Sequence, residues 1–229
     1  MEILFQDDHL VAVNKPAGLL VHRSAIAKDA TEFALQKTRD LVGMEVHPIH
    51  RLDRKTSGVL LFAFDLDTLR LMQQVFNEGD VRKEYHAIVR GFTEDNGKID
   101  YALVNDKGTE QSAITNYTTH KRWEIDKPFG KHKTSRYSYV HVFPETGRMH
   151  QTRKHFAHIF HPIIGDRPHG CNKQNRFFKE EFDLTEMLLH ARNYAFHHPI
   201  TKEQLTIEAP MRDEFNRIID ILDEFRINN

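Results

Sequence analysis

The stretch His50-Arg51-Leu52-Asp53-Arg54-Lys55-Thr56-Ser57-Gly58, running on into Val59-Leu60-Leu61-Phe62-Ala63-Phe64, decides how the rest of the chain is read. A glycine followed by an apolar run of that length reads as a turn feeding a buried strand. Asp53 then sits in a tight loop at the edge of a core, not on a solvated helix. Around it stand Arg51, Arg54, Lys55 and His50. A carboxylate that close to guanidinium groups stays ionised. Ionised and held in place, it is fit to act as a nucleophile or a base. The same nine residues fit equally well an aspartate that caps a turn and pairs with a neighbouring arginine.

The chain has 229 residues, of which 39% are hydrophobic, enough for a single core. No linker divides it, so residues 1–229 are expected to form one domain. The formal net charge of −1 excludes a uniformly basic nucleic-acid binder. The charge is unevenly spread, however. Between Lys121 and Arg136 there are six Lys or Arg against Glu124 and Asp126, and between Gly147 and Arg176 only Asp166 opposes the basic residues. A neutral total can hide a basic face that attracts phosphates. A single cysteine, Cys171, excludes an intrachain disulfide and a cysteine-based zinc site, and fits a reducing compartment. With no signal peptide and no apolar run long enough for a membrane span, the expectation is a soluble, cytoplasmic protein.

Short strands are expected at Ile3–Phe5 and Leu10–Asn14, with a helix over Thr31–Val42. A second helix over Leu66–Phe76 rests on the spacing of Leu69, Met72, Val75 and Phe76. Lys83–Gly91 alternates and reads as a strand with Tyr85, Ala87 and Val89 on one face. Ala113–Trp123 and Tyr137–Phe143 read as further strands, and Arg148–Phe160 as a helix after the breaker Pro144-Glu145-Thr146-Gly147. Two strands near Met187–Ala191 and Leu205–Glu208 precede a last helix over Asp213–Phe225. Strands and helices mix without regular βαβ alternation, which argues for an α+β domain whose mixed, mostly antiparallel central sheet is flanked by helices.

The second suggestive segment is Thr146-Gly147-Arg148-Met149-His150-Gln151-Thr152-Arg153-Lys154-His155. Arg148 and Arg153, five residues apart, point different ways on a helix. A buried arginine there needs a carboxylate, for which Asp53 is the obvious candidate; a basic helix face in water is the plainer alternative. His155, His158 and His161 have metal-like spacing but lie in cationic surroundings without a nearby acid, so no metal is expected. Tyr85, on a half-buried strand, is either core packing or a platform for a base. The order His-Arg-Leu-Asp is wrong for a kinase loop, and neither a Gly-x-Ser-x-Gly elbow nor a Walker motif is present.

Taken together the chain resembles the RluA-type pseudouridine synthases over nearly its full length. The matching pieces are Asn14-Lys15-Pro16-Ala17-Gly18-Leu19, His50 to Gly58, Lys83-Glu84-Tyr85-His86-Ala87 with Arg90-Gly91, and Thr146 to Gln151 with Arg153 and His155. His161-Pro162-Ile163-Ile164-Gly165-Asp166 and Leu188-Leu189-His190-Ala191 complete the ordered set. The resemblance implies Asp53 as the catalytic aspartate and Tyr85 as the tyrosine against the target base. Arg153 would pair with the aspartate, and Arg51 would fill the space left by a flipped base. Leu189 would wall the pocket, with His50, Arg148 and His150 among the substrate-binding residues. Thr152 departs from the family's usual Leu or Ile. No N-terminal RNA-binding domain of the S4 type is expected, since the motifs begin almost at Met1.

The implied reaction isomerises uridine to pseudouridine in RNA with no cofactor, on a nucleotide flipped out of its helix. Within the family the chain looks most like the tRNA pseudouridine(65) synthases, through Leu20-Val21-His22-Arg23-Ser24, through His169-Gly170 with Gln174-Asn175-Arg176, and through the insertion around Lys131–Tyr137. The expected partner is therefore tRNA, acted on at the acceptor/T-arm junction by a monomer that uses no nucleotide cofactor and no membrane. Ribosomal RNA as substrate, a non-catalytic RNA-binding or folding module, and a metal-dependent hydrolase are the other readings.

Overall fold

The computed structural model describes residues 1–23 and 31–227; Ser24 of the subfamily-like segment lies outside them. In chain order the elements are β1 (Glu2–Gln6), β2 (Leu10–Lys15), α1 (Ala34–Val42), β3 (His47–Pro48), β4 (Ser57–Ala63), α2 (Leu66–Glu78) and β5 (Arg82–Arg90). Then follow β6 (Asn96–Asp100), β7 (Leu103–Val104), β8 (Glu110–Gln111), β9 (Ile114–Ile125), β10 (Ser135–Pro144) and α3 (Gln151–His158). The chain ends with α4 (Asn172–Phe182), β11 (Leu189–His197), β12 (Gln204–Glu208) and α5 (Asp213–Asp223). The class is α+β, with mostly antiparallel pairing. Two compact units contain these elements: Met1–Lys83 with His190–Pro210, and Glu84–Leu189 with Met211–Asn229.

The first unit is built on β4, every residue of which is buried. β2 pairs with it antiparallel from Leu10↔Ala63 to Lys15↔Gly58, and β1 pairs with β2. On the other edge of β4, β11 runs parallel at Ser57 and Gly58, while β3 pairs antiparallel at Phe62 and Ala63. The apolar run of the sequence is thus a strand enclosed on both edges. Its glycine has a different task from the one expected. The turn lies earlier, where the Thr56 amide donates to the Asp53 carbonyl at 3.1 Å. Gly58 is inside β4 at φ +110°, and a Cβ there would fall on the Ala191 carbonyl oxygen. Only glycine lets β11 approach so closely. α2 begins at Asp65, whose carboxylate accepts from the Thr68 amide at 2.7 Å and caps the first turn.

The second unit has an antiparallel sheet in the order β5-β10-β9-β6, with the small β7–β8 hairpin beside it. Alternation sorts its side chains onto two faces. Ala87, Val89, Val140, Val142 and Tyr117 pack with Phe156 of α3, and Tyr85 packs against the same cluster, as the alternation of β5 implied. Ile88, Tyr137, Tyr139, Trp123 and Ile125 face the other way, against Phe178 of α4 and Phe215, Ile218 and Leu222 of α5. Tyr117 and Trp123 are both odd-numbered yet lie on opposite faces. A bulge explains this: the register slips between Tyr139 and Val140, leaving His120 unmatched and reversing the alternation of β9. α5 is docked by its apolar stripe, each buried side chain worth roughly 2 kcal/mol, and by Asp223, which accepts from Trp123 Nε1 at 2.8 Å and Lys121 Nζ at 2.6 Å.

Several elements differ from the sequence reading, and two of the differences bear on the site. The helix expected from Arg148 starts only at Gln151, because His150 adopts a left-handed conformation at φ +56° and Arg148 lies in the preceding turn. α4 was not anticipated, since its Lys, Asn and Glu content masks the buried pair Gln174 and Phe178 at helical spacing. No helix among the described residues is long and apolar enough to cross a membrane. Gly58→Ala is expected to lose about 3 kcal/mol of stability through backbone strain and the clash with Ala191, read as a lower urea midpoint; an unchanged midpoint would contradict the close approach of β11.

Candidate active site

Asp53 begins the turn that leads into β4. It is half-buried, between inward-pointing Leu52 and exposed Arg54, and Arg51 is exposed beside them. What holds this turn is Lys15. Its side chain has 0% exposure, and its ammonium donates to the carbonyls of Pro16 at 2.9 Å, Leu19 at 2.8 Å and Arg54 at 3.3 Å. The Gly18 amide also donates to the Arg54 carbonyl at 2.7 Å, and Arg54 Nε returns a bond to the Gly18 carbonyl at 3.0 Å. The motif Asn14–Leu19 is therefore the clasp of the Asp53 turn. Lys15 was visible in that motif, but its role was not, because a lysine is rarely expected inside a core.

His50 supports the same turn from the other side. Its ring lies 5.2 Å from Phe76 and 5.0 Å from Tyr194, and its Nε2 accepts from the Leu61 amide at 3.2 Å. An accepting Nε2 fixes the neutral form with the proton on Nδ1. Burial pushes its pKa down to about 3, with Lys83 a smaller cause in the same direction. Further along β4, the Ser57 hydroxyl lies 2.9 Å from His190 Nδ1, and His190 Nε2 lies 3.3 Å from the Ala209 carbonyl. The histidine of the Leu188–Ala191 motif thus ties β11 to the strand that follows Asp53.

In the second unit, Tyr85 and Leu189 belong to one apolar cluster, and α3 packs on that cluster through Phe156. Arg153, also on α3, is buried. Its Nε and one Nη meet the two carboxylate oxygens of Asp166 at 2.9 and 2.7 Å. This fork-to-fork pair supplies the carboxylate that a buried arginine needs. Asp166 ends the His161–Asp166 motif, and the sequence reading did not name it as a partner of Arg153. Asn175 supports Asp166 by donating to its carbonyl at 2.6 Å and accepting from the Gly165 amide at 2.8 Å.

The segment before α3 is equally tied. Gln151 is buried; its Oε1 accepts from Thr146 Oγ1 at 2.7 Å and the Arg148 amide at 3.0 Å, and its Nε2 donates to Ile114 and Thr115. Arg148 Nε donates to the Ser112 carbonyl at 3.0 Å. His150, at its strained φ, places Nδ1 2.9 Å from His169 Nε2. Burial lowers the pKa of His169, with Asp166 opposing that shift and Arg153 and His150 adding to it. Thr152 is buried, and nothing in its surroundings explains the departure from Leu or Ile.

The histidines with metal-like spacing are spent on other contacts. His155 sets its two nitrogens 2.9 Å from Thr115 Oγ1 and 3.0 Å from the Tyr101 carbonyl. His158 stacks on Tyr101 with ring centres 3.6 Å apart, and His161 Nδ1 donates to the Arg90 carbonyl at 2.8 Å. Glu84, His86 and His141 form the one metal-like donor group among the described residues. The two rings are stacked 4.0 Å apart at 16°. Each ring meets Glu84 Oε1, at 3.2 and 3.1 Å.

Lys15→Met is expected to leave buried carbonyls unpaired and cost about 3 kcal/mol, measured by urea unfolding; a shift too small to measure would mean that Lys15 is not the clasp. His50 gives a pH dependence of defined sign. Its folded pKa of about 3 lies below the ordinary 6.5, so its contribution is full above 6.5 and is lost as pH falls towards 3. The difference in urea midpoint between wild type and His50→Asn should therefore shrink as pH is lowered from about 7 to about 4. A difference independent of pH would contradict the buried neutral ring.

A family model described as RNA pseudouridylate synthase matches residues 9–158. A tRNA pseudouridine synthase C of Vibrio parahaemolyticus is 44% identical over 95% of this chain and 93% of its own length. Its namesake in Haemophilus influenzae is 44% identical over 96% of this chain and 97% of its own. Among solved structures, human RNA pseudouridylate synthase domain containing 4 superposes with a TM-score of 0.74 at 25% identity, covering 97% of this chain and 93% of its own. The chain belongs to the RNA pseudouridylate synthase family, as its motifs led one to expect, and is an RNA pseudouridine synthase.

Proposed function

We propose that the protein converts a specific uridine of tRNA to pseudouridine, at position 65 near the acceptor/T-arm junction, with Asp53 as nucleophile and the target nucleotide flipped out of its helix. The observation that carries this reading is the clasp of buried Lys15 and Arg54 around the Asp53 turn, which presents a half-buried carboxylate beside the exposed Arg51. The bacterial relatives named for tRNA, at 44% identity over nearly the whole chain, support the choice of RNA. The reading draws on residues of both units and treats residues 1–229 as one catalytic domain.

The chemistry is an isomerisation, so nothing enters or leaves overall. The Asp53 carboxylate attacks C1′ of the ribose, or stabilises the positive charge developing there, as the N1–C1′ bond breaks. The freed uracil turns, C5 bonds to C1′ as any bond from the Asp53 carboxylate to C1′ breaks, the C5 proton is removed and N1 takes up a proton. Tyr85, on the apolar cluster with Leu189, packs against the base and assists the loss of the C5 proton. Arg153 takes the part that the family motif implies for it, keeping the catalytic aspartate ionised. Arg51 enters the space the flipped base leaves, offsetting part of an unstacking cost of a few kcal/mol. Arg148 and His150 contact the RNA, while His50, packed between rings, acts on the substrate indirectly by holding the turn.

Release of tritium from tRNA carrying [5-³H]uridine tests the roles. Asp53→Asn is expected to lose at least about a thousandfold in turnover while binding tRNA within about twofold of wild type, since the amide keeps the shape and loses the nucleophile. Wild-type turnover in that variant would remove Asp53 from the mechanism.

A further inference from the structure

A cavity of about 700 Å³ lies wholly within the second unit, where the end of β5 meets the loop between β9 and β10. Arg90, Lys131, Lys133 and Arg136 line it, against the single acid Glu124. That acid is already engaged: Arg136 Nε donates to it at 3.0 Å, Thr134 also bonds it, and these two bonds draw its pKa down. Two aromatic rings organise the cations. Arg90 sits over Phe129 at 5.7 Å and Arg136 over Phe92 at 4.9 Å. A guanidinium stacked on a ring keeps its in-plane N–H donors for an anion. The loop is preformed, because Phe129 and His132 exchange backbone hydrogen bonds at 2.9 and 3.0 Å around Gly130, at φ +59°. This small hairpin holds Lys131 and Lys133 out in solvent at the cavity's rim.

A concave site with surplus cations and aromatic faces, and with its loop already ordered, suits a polyanion with planar bases. Its position separates it from the chemistry. Arg90 is five residues beyond Tyr85 on β5, about 17 Å along an extended strand, and an odd spacing puts the two side chains on opposite faces of the sheet. We infer that this cavity is a second RNA-binding site, which grips the sugar–phosphate backbone of the substrate at a point remote from the target uridine.

This inference rests on the reading of the protein as a tRNA-modifying enzyme, and its test separates the two. Fluorescence anisotropy with a labelled, unmodified tRNA transcript is measured over a series of KCl concentrations for wild type, for the double variant K131A/K133A, and for Arg90→Gln. The double variant is expected to bind roughly tenfold more weakly, with a salt slope shallower by about one to two, and Arg90→Gln to change both in the same direction. Equal affinity and equal slope in all three proteins would overturn the inference. The lysines are exposed, and a melting temperature recorded for each variant distinguishes lost binding from lost fold. If wild type converts a ribosomal RNA fragment and not tRNA, the substrate reading fails, and the same comparison on that fragment still decides the cavity's role.

Discussion

An ammonium group taken out of water must be surrounded by acceptors or it unfolds what surrounds it. In this protein Lys15 is such a group, and it is satisfied by backbone carbonyls belonging to two separate turns. Its reach from the end of β2 to the Arg54 carbonyl joins the segment Asn14–Leu19 to the turn that carries Asp53. The turn in turn delivers the chain into β4, the strand that β2, β3 and β11 all pair with. The placement of Asp53 is thus set by the same bonds that close the core of the first unit. Arg51, two residues before Asp53, is exposed.

The second unit meets the same problem, a buried cation, with a carboxylate instead of backbone carbonyls. Arg153 is buried on α3 and is compensated by Asp166, which Asn175 holds from α4. Here the ion pair does more for orientation than for stability, because the desolvation of two charges offsets much of their attraction. The fork geometry fixes the guanidinium plane. Gln151 performs the equivalent task for the turn before α3, with every one of its polar groups engaged. In both units, then, a fully satisfied buried polar group positions the segment that carries a proposed site residue.

Much of this was legible in the chain. The run Val59–Ala63 announced a buried strand, and the alternation of Lys83–Gly91 put Tyr85 on the face it occupies. Of the apolar face read in the last helix, Phe215, Ile218, Ile219, Leu222 and Phe225, three residues (Phe215, Ile218 and Leu222) are core, Ile219 is partly buried, and Phe225 lies past the helix end and is exposed. What escaped was long-range or sterically local. Gly58 looked like a turn residue because nothing in the sequence shows that the Ala191 backbone lies against it. α4 is a mostly polar helix whose few inward residues give a weak period. The Asp166 partner of Arg153, from a loop thirteen residues beyond it, is found only when α3 and that loop are folded together. The bulge at His120 likewise has no sequence signature, yet it decides which face Trp123 occupies.

In the proposed function a single carboxylate, held by a buried lysine clasp, modifies one uridine of tRNA. The most direct measurement of this is mass-spectrometric mapping of pseudouridine in total tRNA and ribosomal RNA from cells lacking the protein, complemented with wild type or with Asp53→Asn. One tRNA position, at the acceptor/T-arm junction, is expected to lose pseudouridine in the deletion and to regain it with wild type alone. Loss confined to a ribosomal site would contradict the tRNA assignment, and restoration by Asp53→Asn would contradict the role given to the carboxylate.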